Sequence, residues 1–311
     1  MAMTPSEVQP VRHSGWRRLD PAWWLILGVA AADAALLLSE APLQPWRLAW
    51  KAQLAIAAGG LLFALIRWVY GSIRPAPRLA ALAHSALLFV LYTDAVGCFS
   101  YLLTGTLHLP LIDRQLEAID RSLGFDWPAY RACLQAQPQL WLATQAVYLS
   151  LGPQVLLLVL LLDVLGRADR ARELFLGFAL CSLTMVVMGA LLPAAGAFVE
   201  YGVPEAHTTP YVLQYLGLRD GSLRLLDPST MEGVVQFPSF HAGLALICCY
   251  VVRGLRWLFW PSLMLNLAIV AVTPVAGGHH FSDVLVGLPL AAATLWPVRY
   301  WPAAAAAGRT G

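Results

Sequence analysis

Eight stretches of the chain carry few charged side chains: 22–39, 52–71, 79–105, 139–165, 173–195, 238–252, 257–276 and 281–298. Most approach the ~20 residues needed to cross a bilayer. Helices apolar on every side must sit inside a large protein or in lipid. With 59% hydrophobic and 12% charged residues among 311, the chain has too little polar surface to enclose so many helices; soluble domains carry about 25% charged residues. The sequence therefore predicts an all-α integral membrane protein with about eight transmembrane helices. About twenty polar residues precede the first block and no small-residue cleavage site stands out, so the N-terminus does not read as a cleavable signal. The five cysteines, Cys98, Cys133, Cys181, Cys248 and Cys249, show no metal-type or paired spacing and read as small core residues.

Arginine placement orients the bundle. With the N-terminus in the cytoplasm, the inner side holds Arg12, Arg17 and Arg18, then Arg67, Arg74 and Arg78, then Arg167, Arg170 and Arg172, and finally Arg253, Arg256, Arg299 and Arg309. The outer side holds Arg47, Lys51, Arg114, Arg121, Arg131, Arg219 and Arg224, diluted by most of the acidic residues. Both termini are then cytoplasmic.

Two stretches that do not cross the membrane fall on the outer side. In 106–138, Ile112, Leu116, Ile119 and Leu123 recur at helical spacing, with Asp113, Arg114, Glu117, Asp120 and Arg121 on the other face. This pattern predicts an amphipathic helix lying in the interface or capping the bundle. The second stretch, 196–237, is polar and turn-rich.

Two histidines stand at the mouths of apolar blocks: His241 in Phe237-Pro238-Ser239-Phe240-His241, and His279 in Gly277-Gly278-His279-His280-Phe281-Ser282-Asp283. One span returns the chain between them, so both reach the same, outer face. A neutral imidazole can attack phosphorus, and a carboxylate on its other nitrogen fixes tautomer and orientation. His279 and Asp283 are four residues apart and share a face if a helix begins there. His241 is placed to protonate a leaving oxygen. Pro238 suits a first helical turn, whose free N–H groups attract anions, and Ser239 adds a hydroxyl. Arg219 and Arg224 are candidate phosphate contacts by location, and His280 by adjacency. Gln145 and Tyr148, three apart in the outer half of the fourth span, are candidates to line a headgroup pocket or to bond between helices.

Pro238-Ser239-Phe240-His241 followed by His279-x-x-x-Asp283 resembles the second and third signatures of the type 2 phosphatidic acid phosphatase superfamily. The resemblance implies a six-helix phosphatase-type core, His279 as nucleophile, Asp283 as its orienting partner and His241 as general acid. It implies no cofactor and no metal. Where the common third signature has Ser-Arg, this chain has Val272-Thr273. The nearest echo of the first signature, Arg67 with Arg74-Pro75, falls on the inner side. Together with Leu192-Pro193-Ala194-Ala195-Gly196, these departures resemble the branch of inositol phosphorylceramide synthases, inositolphosphotransferase-like enzymes that move a phospho-headgroup to a lipid alcohol.

The chain therefore divides into a cytoplasmic tail over 1–20, a transmembrane catalytic domain over 21–302 with outer caps 106–138 and 196–237, and a cytoplasmic tail over 303–311. The expected setting is the bacterial inner membrane, with the active site on the extracytoplasmic side. The partners are a phospholipid or lipid phosphate and a lipid alcohol acceptor, with no nucleic acid. From His241 to Arg253 is about twelve residues, or roughly 18 Å of helix against a ~30 Å core, which sinks the site below the headgroups and favours a lipid phosphate. Two other classes compete. A proton-coupled transporter would use His241, His279 and Asp283 as a relay, and a non-catalytic relative would keep the fold to bind lipid. Asp33, His84 and Asp94, inside apolar blocks, read as structural pairs or as snorkelling groups.

Overall fold

The computed structural model describes residues 20–40 and 45–300. The N-terminal tail through residue 19, with Arg12, Arg17 and Arg18, lies outside them, as do Arg309 and the tail after Trp301. The described chain is helical with almost no sheet. Helix α1 spans Pro21–Glu40, α2 Trp50–Trp68 and α3 Pro77–Thr106, with a π turn over Val69–Ile73 closing α2. Short helices α4 (Asp113–Ser122) and α5 (Trp127–Gln135) follow. Helices α6 (Pro138–Leu149) and α7 (Leu151–Val164) are joined at a 41° bend. Next come α8 (Ala168–Leu191), the single turn α9 (Ala197–Glu200) and α10 (Pro210–Asp220). The chain ends in α11 (Phe240–Val251), α12 (Arg256–Ala276) and α13 (Phe281–Tyr300). Strand β1 (Arg47–Leu48) pairs in parallel with β2 (Leu225–Leu226) and ties 196–237 to the start of α2.

Six described helices are long and apolar enough to cross a membrane, or seven if the bent α6–α7 pair is one span. The fourth expected span is that bent pair, and the sixth, α11, is only 12 residues long. The fifth ends at Leu191 rather than at 195, because Pro193 cannot continue a helix and Gly196 takes a positive φ. The 106–138 cap is two helices rather than one, broken at Gly124, where φ is also positive.

Helix α8 is the centre of the bundle and packs against α3, α11 and α13. Over half of its apolar window is buried, against 6% for α2, which lies at the periphery against α3. Small residues let the central helices approach closely. A Cβ at Gly243 of α11 would meet Met185 and Cys181 of α8 at 2.8 and 3.0 Å. A Cβ at Gly287 of α13 would collide with the Ser239 carbonyl oxygen, so α13 crosses the start of α11 backbone to backbone. Cys98, Cys181 and Cys248 are core residues as expected, whereas Cys133 is exposed on α5.

Two acids of the spans have polar side chains of a neighbouring helix beside them, whereas Asp33 has the like charge of Asp94 near it. Asp94 lies beside Gln53 of α2 and Asp163 beside Ser85 of α3. At the far end of α11 from His241, Arg253 holds Glu173 through two hydrogen bonds of 2.7 Å.

Candidate active site

Ser239 is the N-cap of α11, its Oγ accepting from Ala242 N at 3.4 Å. A serine here satisfies a helix N–H that would otherwise be unpaired. Pro238 is not in the first turn, as the sequence suggested; it follows a cis bond to Phe237, and the helix starts at Phe240. His241 therefore occupies the first turn. Its ring stacks on Tyr148 of α6 at 4.2 Å between centroids, with the tyrosine hydroxyl 3.3 Å from Nδ1.

The second motif turns between α12 and α13. Gly278 has φ +67, and a Cβ there would collide with the Tyr211 hydroxyl and sit 2.8 Å from the Phe198 ring. This position therefore needs glycine for both conformation and space. The turn delivers His279 to the α11 N-cap: Nε2 lies 3.4 Å from Ser239 Oγ, and Ser239 N donates to the Asp283 carbonyl at 3.0 Å. The His241 and His279 rings are close enough to interact electrostatically.

His279 Nδ1 is 2.9 Å from the Gln236 carbonyl oxygen and 3.3 Å from Asp283 Oδ2. A backbone carbonyl can only accept, so Nδ1 carries the proton and Nε2 keeps its lone pair. Burial, aided by the adjacent His280 ring, lowers the His279 pKa from 6.5 to about 4 against the opposing Gln236 bond. The imidazole is thus neutral at physiological pH, in the tautomer that leaves Nε2 free.

Groups from both cap segments bind the peptide groups of this turn. Tyr211 of α10 donates to the Gly277 carbonyl at 3.0 Å, Ala197 N to Gly278 at 2.7 Å and Trp127 Nε1 to His279 at 3.1 Å. Asp283 Oδ2 accepts from His280 N at 2.8 Å, while Asp120 accepts from Phe281 N and Ser282 N at 2.7 and 2.8 Å. Trp127 also stacks on Tyr201 at 5.0 Å, and Arg131 pairs with Glu205 while lying over the Trp127, Trp141 and Phe198 rings.

Helix α4 caps the bundle with part of its apolar stripe, Ile112 and Leu116, and also turns two carboxylates inward. Its buried residues are Asp113, Leu116 and Asp120, while Ile119 and Leu123 are exposed. The carboxylates face the bundle because partners for them lie there: Asp113 accepts from Ala195 N and Gly196 N at 2.9 and 2.7 Å. His280 is fully buried between them, with Nε2 3.4 Å from Asp113 Oδ1 and Nδ1 3.8 Å from Asp120 Oδ2. Burial alone would lower the His280 pKa, but the surrounding carboxylates, Asp113 first, raise it above 6.5.

The structure thus brings together His279, Asp283, His241, Ser239 and Tyr148. His280 turns away into the carboxylates of α4 rather than into open space. Gln145 is half-buried one turn before Tyr148. Arg219 donates to the Leu109 carbonyl at 2.7 Å and lies over Tyr215. Arg224 donates to the Gly105 carbonyl at 2.7 Å and lies over Trp46. Both are anchored to the segment where α3 ends. Sequence reasoning did not single out Gln236, Tyr211 or Trp127, and it gave Asp113 and Asp120 only as part of the polar face of an interfacial or capping helix. Their seven-residue spacing, two helical turns, was the available signal that they share a face.

A neutral imidazole whose Nε2 lone pair faces Ser239, a carboxylate near its Nδ1 and a second imidazole at one helix N-terminus are groups able to attack phosphorus and to protonate a leaving oxygen. The family model of the PAP2 superfamily matches residues 114–296, more than half of the chain, from α4 through α13. The chain belongs to the PAP2 superfamily. Membership points to an enzyme with phosphatase-type chemistry on lipid-related substrates. Helices α1 to α3 precede the matched region. No curated protein and no solved structure matches the chain.

Proposed function

We propose that this PAP2 superfamily protein is a membrane lipid phosphatase or phosphotransferase working through a phosphohistidine. His279 Nε2 attacks phosphorus while Asp283 and the Gln236 carbonyl hold Nδ1–H. The bond from phosphorus to the leaving lipid oxygen breaks, and His241 gives that oxygen a proton. Water or an alcohol then attacks the phosphohistidine, returns a proton to His241 and frees Nε2. The observation that carries this reading is the His279 ring itself, neutral and turned so that its nucleophilic nitrogen faces Ser239.

The site's depth supports a lipid phosphate. Helix α11 has 12 residues, about 18 Å of rise against a core of about 30 Å. Arg253, just beyond its far end, is held by Glu173, which favours placing that end at the cytoplasmic surface. The histidines then lie below the headgroup plane. In our reading α6–α7 and α11 both cross, giving eight spans around a six-helix core. Both termini are cytoplasmic by arginine placement, and the site is extracytoplasmic. Ser239 and Tyr148 are proposed substrate contacts. The absent Ser-Arg signature and the Leu192–Gly196 turn support transfer to a lipid alcohol, as in inositolphosphotransferase-like enzymes.

Purified protein should release phosphate from a long-chain lipid phosphate or, with a lipid alcohol present, pass the phosphoryl group to it. The His279→Ala variant should do neither. Equal turnover by wild type and variant would remove the mechanism, and the partition between free phosphate and new lipid separates hydrolase from transferase.

A further inference from the structure

Helix α4 does more than cover the bundle. Its two buried carboxylates lie two turns apart, at 4% and 0% exposure. Between them they accept hydrogen bonds from Ala195 N, Gly196 N, Phe281 N and Ser282 N. Phe281 and Ser282 open α13, so Asp120 also meets the positive end of that helix. The Asp113 side bears on the same turn, since Ala197, next to Gly196, donates to the Gly278 carbonyl. His280 fills the space between the two carboxylates. Two buried anions beside a third carboxylate, Asp283, would be costly without a cation among them.

We propose that Asp113 and Asp120 are positioning residues that clasp the 277–283 turn from outside the bundle and aim the His279 ring, with His280 as a buried imidazolium between them. The proposal rests on the phosphohistidine reading for its catalytic half. The charged and titratable groups facing His280 are Asp113 and Asp120 of α4, Asp283 of α13, His279 beside it and Tyr201 after α9, whose ring lies 6.4 Å away. Both carboxylates are engaged by main-chain N–H groups and by the His280 ring between them. Their effect reaches chemistry through the main chain of the turn and through the charge next to His279. Asn at position 120 keeps the shape but offers one accepting oxygen where the carboxylate serves two N–H groups.

The test is nitrogen NMR of imidazole-labelled full-length protein in detergent micelles near pH 7, comparing wild type with Asp120→Asn and Asp113→Asn, alongside turnover of a long-chain lipid phosphate. In wild type, His280 should show both ring nitrogens protonated and His279 the Nδ1–H tautomer alone. In Asp120→Asn, His280 should lose its second proton at a lower pH and His279 should populate both tautomers. Its kcat should fall by about 10- to 100-fold with KM within about twofold, the signature of a displaced reacting group rather than lost binding. A neutral His280 in wild type would overturn the clasp, and so would Asp120→Asn spectra and kcat that match wild type. If Asp120→Asn does not fold, Asp113→Asn carries the same comparison. A wild type without turnover but with the expected spectra would instead count against the phosphohistidine reading, because the spectra do not depend on activity.

Discussion

Replacing Gly278 with alanine should disable the site while leaving the bundle assembled. An L-residue at φ +67 costs about 1–2 kcal/mol. The new Cβ would also collide with the Tyr211 hydroxyl and press on the Phe198 ring at 2.8 and 2.9 Å. Tyr211 must then leave the Gly277 carbonyl, forfeiting a partly buried hydrogen bond worth about 1 kcal/mol. The total, about 2–3 kcal/mol, is tolerable for a bundle of this size but is concentrated on the residue before His279. A displacement of the nucleophile by about 1 Å costs on the order of 100-fold in rate. Gly254, between α11 and α12, is the matched control: its φ is +87, but nothing lies within 4 Å of a Cβ there. Steady-state turnover and thermal unfolding in the same detergent should show Gly278→Ala losing about 100-fold in kcat/KM, and Gly254→Ala losing stability alone. Equal activity in the two variants would refute the claim that the turn is held by its contacts.

Other consequences are direct. Asp283→Asn should lower kcat by about 100- to 10,000-fold, because an amide cannot stabilise the positive ring that forms when His279 Nε2 bonds to phosphorus; loss of less than tenfold would remove Asp283 from the mechanism. Because the folded pKa of His279 is depressed from 6.5 to about 4, its contribution to stability is complete above pH 6.5 and is lost as pH falls toward 4. His280 has the opposite sign: its folded pKa is raised, so its contribution is complete below pH 6.5 and is lost as pH rises through the folded value. Unfolding of wild type across pH, beside His280→Gln, should show the alkaline loss in wild type alone. Arg253→Ala, at the far end of α11, removes a two-bonded pair whose side chains are 31% and 17% exposed. Solvent screening limits the cost to about 1 kcal/mol or less, with turnover unchanged; a loss of turnover would mean that this end communicates with the histidines.

The spans were legible because an apolar block has few alternatives to a membrane helix. Convergence of His241 and His279 followed from one span returning between them. What did not show was whatever depends on partners distant in sequence. The apolar spacing of Ile112, Leu116, Ile119 and Leu123 marked α4 as an amphipathic helix but not the inward turn of Asp113 and Asp120, because the N–H groups that attract them lie near residues 195 and 281. Gln236 helps set the His279 tautomer through its main-chain oxygen, which every residue type carries. Arg219 and Arg224 are near His241 in sequence, but the fold anchors both to carbonyls near the end of α3.

The central claim is that His279 carries the phosphoryl group. Rapid alkaline quenching of enzyme turning over a lipid phosphate labelled at phosphorus should trap a protein-bound adduct. That adduct should be stable to base, labile to acid, located at His279 and absent from His279→Ala. Turnover without any adduct, or an adduct on another residue, would contradict the account.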